Sequence, residues 1–161
     1  WRAFHERNAS LEWFDPGPAA LALVASHVAS LSSSLYSSSA PRPYTVLHLG
    51  CGTSPFSTLL DASLPSATVY HSDLSSPCLA PLRRTILLDA TATALPPRRF
   101  HAVVDKGFLD CFVSKPDLLT RVLKNVHGCL GRGGKYVMVT RDDFNFRLEK
   151  LMASGGRWEV G

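Results

Sequence analysis

The fold is decided by residues 46–54, which read VLHLGCGTS. The apolar first half predicts a buried β-strand, and the glycines after it predict a tight turn into a helix. Glycines at such a turn let a ligand approach the backbone closely, and the start of the next helix offers N–H donors. The alternative is that the turn serves only the packing of the strand against the helix.

The same kind of apolar run recurs along the chain. Strands are predicted at residues 45–49, 68–71, 85–88, 101–105 and 135–140. Helical or turn-rich stretches separate these runs, and this alternation is typical of βαβ units with a parallel sheet covered on both faces. The sequence therefore predicts an α/β fold with a doubly wound, mostly parallel, Rossmann-like sheet.

Helices are predicted before and between the strands. Residues 18–36 carry apolar side chains at helical spacing, at Leu21, Val24, Val28, Leu31 and Leu35. A second helix is predicted to begin at Pro116, where a missing N–H does no harm, and to end near Gly128. A last helix at 144–152 and a short strand at 158–160 complete the prediction.

A chain of 161 residues with 45% hydrophobic residues can bury one ordinary core, so residues 1–161 are predicted to form a single domain. Residues 1–43 are predicted to hold a helical segment and a connector rich in serine and proline, and residues 44–161 the Rossmann-like core. A sheet that stops at the last predicted strand would be truncated at its C-terminal edge.

Composition excludes several classes of protein and partner. The 17 basic and 13 acidic residues give a net charge of +4 that is spread along the chain, so a nucleic-acid partner is not indicated. No run approaches the roughly 20 apolar residues of a membrane span, so no membrane partner is expected. Four separated cysteines and scattered histidines predict no disulfide framework and no metal site. A reducing, intracellular compartment, mitochondrial or cytoplasmic, is the simpler interpretation.

Asp73 supports a nucleoside ligand. It follows the second predicted strand, so in a right-handed βαβ unit it lies at the carboxyl end of the strand beside the glycine turn. A carboxylate there can accept both ribose hydroxyls, although a turn or helix-cap role for Asp73 is the alternative. The third glycine of a dinucleotide fingerprint is replaced by Pro55, and the turn carries no cation for a pyrophosphate. S-adenosylmethionine therefore fits better than NAD.

Three segments carry a resemblance to a known family. Residues 4–7 and 11–14 (FHER and LEWF), residues 46–54, and residues 100–110 (FHAVVDKGFLD) resemble motifs of the class I S-adenosylmethionine-dependent methyltransferases, in the branch that modifies protein lysines. The resemblance implies a protein substrate with a lysine acceptor. It also implies a set of cofactor-binding residues: His48, Gly50, Cys51, Gly52, Thr53, Asp73, Leu74, Asp89, Ala90 and Lys106.

The resemblance further implies a catalytic role for Asp105, which would orient the attacking lysine amine at the end of the fourth strand. A strand end followed by a capped turn is the alternative for this residue. Glu12 and Trp13 are interpreted either as a lid over the cofactor or as the edge of an amphipathic helix.

The rival hypothesis is a methyltransferase-like domain without catalytic activity that serves as a structural subunit of a larger assembly. His48 stands where the family carries an acidic residue, and residues 75–84 leave little room for the second crossover helix. An incomplete sheet edge would then be covered by the partner.

Overall fold

The computed structural model describes residues 2–8, 12–35 and 43–159. Five strands form one sheet within these residues: β1 (Tyr44–Leu49), β2 (Ala67–Asp73), β3 (Thr85–Leu87), β4 (Phe100–Lys106) and β5 (Leu130–Val139). The strand order is β3-β2-β1-β4-β5, and every neighbouring pair is parallel. The predicted α/β, Rossmann-like sheet is confirmed.

Helices connect the strands and precede the first one. They are α1 (Arg2–Arg7), α2 (Gly17–Leu35), α3 (Phe56–Ser63), α4 (Ser76–Leu79), α5 (Pro116–Cys129) and α6 (Phe144–Ala153), with a single 3₁₀ turn at Leu109–Phe112. The second crossover holds only the one-turn helix α4, as the short connection predicts. Among the helices in the described ranges, none has the length and apolar character that crossing a bilayer requires.

The two faces of the sheet are buried under different helices. Side chains alternate along each strand, so Val46 and Val104 point to one face while Leu47 and Val103 point to the other. The first face packs against α2 and α3. The second packs against α5, whose buried residues follow helical spacing: Leu119, Val122, Leu123, Val126 and Cys129. This arrangement confirms a sheet covered on both sides.

Strand β5 begins earlier than the sequence predicts. Its first residue, Leu130, pairs with Phe100, and a bulge separates this pair from the regular register that starts at Lys135. The bulge uses glycine, since Gly133 has a φ of +71° and a Cβ at Gly134 would lie only 3.1 Å from the His101 carbonyl oxygen. The glycines that mark the end of α5 therefore also shape the start of the strand.

The strand predicted at 158–160 is wrong for its described part. Residues 158–159 form no strand, and Val160 lies outside the described residues. The ring of Trp158 instead packs 5.0 Å from that of His127, and its Nε1 donates a hydrogen bond of 3.1 Å to Ser154 Oγ. Trp158 therefore packs against α5 and the end of α6 and does not extend the sheet.

A polar network is buried between β1, β2 and α3. The Nδ1 atoms of His48 and His71 lie 3.2 Å apart, and His71 Nε2 lies 3.2 Å from a carboxylate oxygen of Asp61. Because a carboxylate only accepts, His71 donates through Nε2, which leaves its Nδ1 to accept from His48. Burial lowers the pKa of His48 to about 3 and also lowers the pKa of His71. Both imidazoles are therefore neutral in the folded protein near pH 7.

We predict that this pair makes the fold sensitive to acid. Histidines in the unfolded chain take up protons near pH 6.5, whereas His48 in the folded chain resists protonation down to about pH 3. The contribution of the two histidines to stability should be unchanged above pH 6.5 and fall as the pH drops below it, by up to about 1.4 kcal/mol per pH unit for each histidine. Denaturant unfolding at pH 7, 6, 5 and 4 measures this slope.

The variant His48→Gln removes one of these titrations, so its stability should fall less steeply with pH than that of the wild type. His27→Gln is the matched control, because His27 is exposed on α2. An identical slope in His48→Gln and the wild type would contradict the assignment.

Candidate functional site

A cavity of about 230 Å³ opens where the carboxyl ends of the central strands meet. The parallel register places the turns after β1, β2, β3 and β4 at the same edge of the sheet. All predicted cofactor-binding residues except His48 line this cavity: Gly50, Cys51, Gly52, Thr53, Asp73, Leu74, Asp89, Ala90 and Lys106. The structure thus brings together residues that come from four separate turns.

The two glycines after β1 have different roles. Both adopt left-handed backbone conformations, with φ of +62° at Gly50 and +55° at Gly52. A Cβ at Gly50 would overlap the ring of Phe108, so this glycine makes room for protein packing. A Cβ at Gly52 would meet no atom within 4 Å. Gly50 therefore fits the packing alternative, while Gly52 forms the open side of the turn.

Asp73 holds this turn in place and faces the cavity. One carboxylate oxygen accepts a hydrogen bond of 2.9 Å from the Gly52 N–H, and the other accepts one of 2.8 Å from the Ser75 N–H. The side chain is only 9% exposed. Each oxygen keeps a further lone pair, so Asp73 can fix the turn and still accept from a ligand. The ligand role and the turn role are compatible.

The turn after β3 is fixed in a similar way. Asp89 Oδ1 accepts from the N–H and the hydroxyl of Thr91, and these hydrogen bonds lower the pKa of Asp89. Asn125 on α5 donates to the carbonyl oxygens of Ala90 and Thr93, at 2.9 and 3.2 Å. Helix α5 therefore holds this wall of the cavity.

Lys106 holds residues 12–14 beside the site. Its buried Nζ forms an ion pair with Glu12 and donates to the carbonyl oxygen of Phe14 at 3.1 Å. The other carboxylate oxygen of Glu12 accepts from the hydroxyl of Ser54 at 2.6 Å. Trp13 lines the cavity and is 54% exposed. Residues 12–14 are not helical, so the interpretation as a helix edge is wrong.

Asp105 does not reach the cavity. Its fully buried carboxylate accepts from the N–H groups of Phe108 and Leu109 and from the Tyr136 hydroxyl, at 2.7, 3.3 and 2.8 Å. Burial raises its pKa to about 6. The expected role at the acceptor amine needs a side chain in the cavity, so it has no support in this geometry. The structure has the alternative arrangement, a strand end followed by a capped turn.

His48 is the second predicted site residue that lies elsewhere. His48 is 1% exposed, and its ring contacts His71 and Phe56. It does not line the cavity. Side chains alternate along β1, so the residue two positions before Gly50 points to the face covered by α3. The prediction that His48 contacts a cofactor is therefore corrected.

The lining carries a negative charge excess. Its ionised groups are the carboxylates of Asp73 and Asp89 and the ammonium of Lys106, which is already paired with Glu12. His5 also lines the cavity, and burial lowers its pKa, so it is neutral near pH 7. Such a lining attracts a cationic group and disfavours a pyrophosphate.

Further lining residues escape sequence reasoning: Phe4, His5, Leu49, Ser54, Ser72, Leu88, Thr91, Gly107, Phe108, Cys111, Phe112 and Leu118. Ser72 precedes Asp73 and Leu88 precedes Asp89 in the sequence. Their position beside a predicted site residue could therefore have identified both. Leu118 belongs to the apolar stripe of α5, and this pattern predicts a core residue. Only the tertiary fold distinguishes it from the fully buried residues of that helix.

No family model matches the sequence, and no curated protein does. Solved structures do match. The sugar N-methyltransferase KedS8 from Streptoalloteichus aligns over 80% of this chain and 50% of its own, with 20% identity and a TM-score of 0.60. The 1,6-didemethyltoxoflavin-N1-methyltransferase of Burkholderia thailandensis, solved with S-adenosylhomocysteine, aligns over 85% and 68%, with 18% identity and a TM-score of 0.56.

A third match is the [4+2]-cyclase SpnF, which aligns over 83% of this chain and 57% of its own, with 17% identity and a TM-score of 0.59. The chain thus spans between half and about two thirds of the length of these structures. At such identities the likeness concerns the fold. The chain has the Rossmann-like fold of the class I S-adenosylmethionine-dependent methyltransferases.

Proposed function

We propose that this chain binds S-adenosylmethionine and transfers its methyl group to a nitrogen atom. The observation that carries the proposal is the position of Asp73, whose oriented carboxylate faces the cavity at the carboxyl end of β2. Ligands of doubly wound sheets bind at this edge, and a carboxylate in this place suits a ribose diol.

The turns after β2 and β3 fit the adenosine half of the cofactor. Leu74 and Ala90 offer apolar surface for a flat base, and both line the cavity beside Asp73. Asp89 keeps Oδ2 for a base amino group, since the hydrogen bonds with Thr91 use Oδ1. The hydrogen bonds from Asn125 to the carbonyl oxygens of Ala90 and Thr93 hold this wall in place. A wall that is ordered before binding reduces the entropy cost of binding.

The charge of the lining fits the methionine half. The cofactor supplies a methyl group activated on a positively charged sulfonium. Asp73 and Asp89 favour that charge, and the ion pair with Glu12 offsets the charge of Lys106. Trp13 lines the same cavity and adds apolar surface to its wall.

The nitrogen acceptor is the finer part of the proposal. The sequence resemblance implies a protein lysine, whereas two of the matching structures are named for methylation of a sugar nitrogen and of a toxoflavin nitrogen. An amine must arrive unprotonated, and direct displacement then requires alignment and desolvation more than a strong base. Asp105, which is outside the cavity, is not needed for this step. A structural subunit without activity remains the alternative.

The first test of the proposal concerns Asp73. The variant Asp73→Asn keeps the shape but has one acceptor oxygen in place of two. It therefore loses the charge that strengthens hydrogen bonds to a ribose diol, and it loses one of the two backbone hydrogen bonds that hold the turn. Its affinity for S-adenosylhomocysteine in calorimetric titration should fall at least tenfold, which corresponds to about 1.4 kcal/mol. Asp117→Asn is the matched control, because Asp117 is exposed at the start of α5. Unchanged affinity in Asp73→Asn would remove Asp73 from the site.

A second test concerns the choice of nucleotide. We predict that NAD does not displace S-adenosylhomocysteine, because the lining is negatively charged and Lys106, the lysine among the described lining residues, is paired with Glu12. A competition titration with both ligands measures this directly. Displacement by micromolar NAD would favour a dinucleotide-binding protein instead.

A third test identifies the acceptor. The chain is incubated with cell extract and donor labelled in the methyl group, and the extract is then separated into protein, nucleic-acid and small-molecule fractions. We expect the label on nitrogen, and recovery on a lysine would support the finer assignment. Recovery on a small-molecule amine would support methyl transfer while overturning the lysine acceptor. If the chain binds the donor and no label appears in any of the three fractions, the structural-subunit alternative would be favoured.

A further inference from the structure

Three side chains with metal-ligating atoms meet beside the cavity. His5 lies on α1, Asp73 ends β2 and Cys78 lies on α4, and helices α1 and α4 are in contact. A ring nitrogen of His5, a carboxylate oxygen of Asp73 and the sulfur of Cys78 all lie within 4.8 Å of one another. The separated cysteines and scattered histidines of the sequence predict no metal site. These three residues are far apart in the sequence and come together only in the fold.

We propose that His5, Asp73 and Cys78 bind a thiophilic divalent cation such as Zn²⁺. Bonds of about 2.0 to 2.3 Å place tetrahedral ligand atoms roughly 3.3 to 3.8 Å apart, so the three side chains need to move by only about an ångström. Nitrogen, oxygen and sulfur together select zinc-like cations over magnesium or calcium, which prefer oxygen alone. A fourth position would face the cavity, as His5 and Asp73 do.

Charge balance favours such a complex in a buried place. Cys78 is 1% exposed, His5 8% and Asp73 9%. On binding, the Cys78 thiol releases its proton to solvent and its sulfur lone pair forms the bond to the metal. The thiolate and the carboxylate then neutralise the two positive charges of the cation, so no net charge is buried. Hydrogen bonds from Gly52 and Ser75 already orient the Asp73 ligand.

The site has a consequence for the cofactor, and this part rests on the proposed function. Asp73 is both a metal ligand and the acceptor for the ribose hydroxyls, and His5 lies in the wall of the same cavity. A bound cation would withdraw these groups from the nucleoside. The metal and S-adenosylmethionine should therefore exclude each other, and each should weaken the binding of the other by the same factor.

The metal site is tested with Co²⁺ on the untagged full chain in the presence of a phosphine reductant. We expect a thiolate-to-cobalt charge-transfer absorption that Zn²⁺ abolishes. Cys78→Ser should lose this absorption, and His5→Ala should bind Co²⁺ at least tenfold more weakly. Cys111→Ser is the matched control, because Cys111 lines the same cavity outside the trio and should leave the absorption unchanged.

Absence of the absorption in the wild type, or its persistence in Cys78→Ser, would overturn the site. Circular dichroism checks the fold of Cys78→Ser, and Cys78→Ala replaces this variant if it fails to fold.

The competition is measured separately by titrating S-adenosylhomocysteine with and without saturating Zn²⁺. We expect at least a tenfold loss of affinity in the wild type and none in Cys78→Ser, whose side chain does not line the cavity. Equal affinities in the wild type would overturn mutual exclusion. If the cobalt absorption forms but S-adenosylhomocysteine does not bind at all, the metal site stands and the proposed function fails.

Discussion

Two hydrogen bonds to Asp73 hold the candidate site together. The Gly52 N–H joins Asp73 to the turn after β1, and the Ser75 N–H joins it to the start of α4. Parallel pairing of β1 with β2 brings these turns to one edge, but the carboxylate fixes their separation. The shape of the cavity beside β1 and β2 and part of its charge therefore depend on this one side chain. Any ligand that binds Asp73 therefore also acts on the geometry of both turns.

Two other buried polar groups, Asp105 and Arg147, serve the fold instead. Asp105 caps the turn after β4 and accepts from Tyr136 on β5, and burial raises the pKa of this tyrosine well above its usual value. Arg147 on α6 pairs with Asp110 and Asp142 and so fastens the last helix to the turns after β4 and β5. These contacts use the acidic groups nearest the end of β4. Under the proposed function, methyl transfer at the cavity would therefore depend on position and charge rather than on a strong base.

The sequence predicts the sheet and part of the cavity, because the strands and the turns that follow them have local patterns. Apolar runs mark the strands, and in a parallel sheet the residues after each run must meet at one edge, which identifies Gly52 and Asp73. Asp89 is assigned to the site by the family resemblance. What the sequence misassigns depends on which way a side chain points. His48 and Asp105 belong to motif-like stretches, yet the sheet directs both into the interior. His5 and Cys78 are brought together by the packing of α1 against α4. No local pattern in the sequence predicts that packing.

The fold alone does not determine the reaction, since one of the matching structures is named as a [4+2]-cyclase and two others as methyltransferases. The residues that line the cavity therefore decide which reaction is favoured. A cyclisation needs no positively charged reactant, whereas methyl transfer begins from a sulfonium. Under the proposed function, the excess of carboxylate charge around this cavity would stabilise that positive charge, and the pairing of Lys106 with Glu12 would offset the cation that opposes it. Loss of the Glu12 carboxylate would restore that opposition, so Glu12 would contribute to the choice of ligand although it lies outside the sheet.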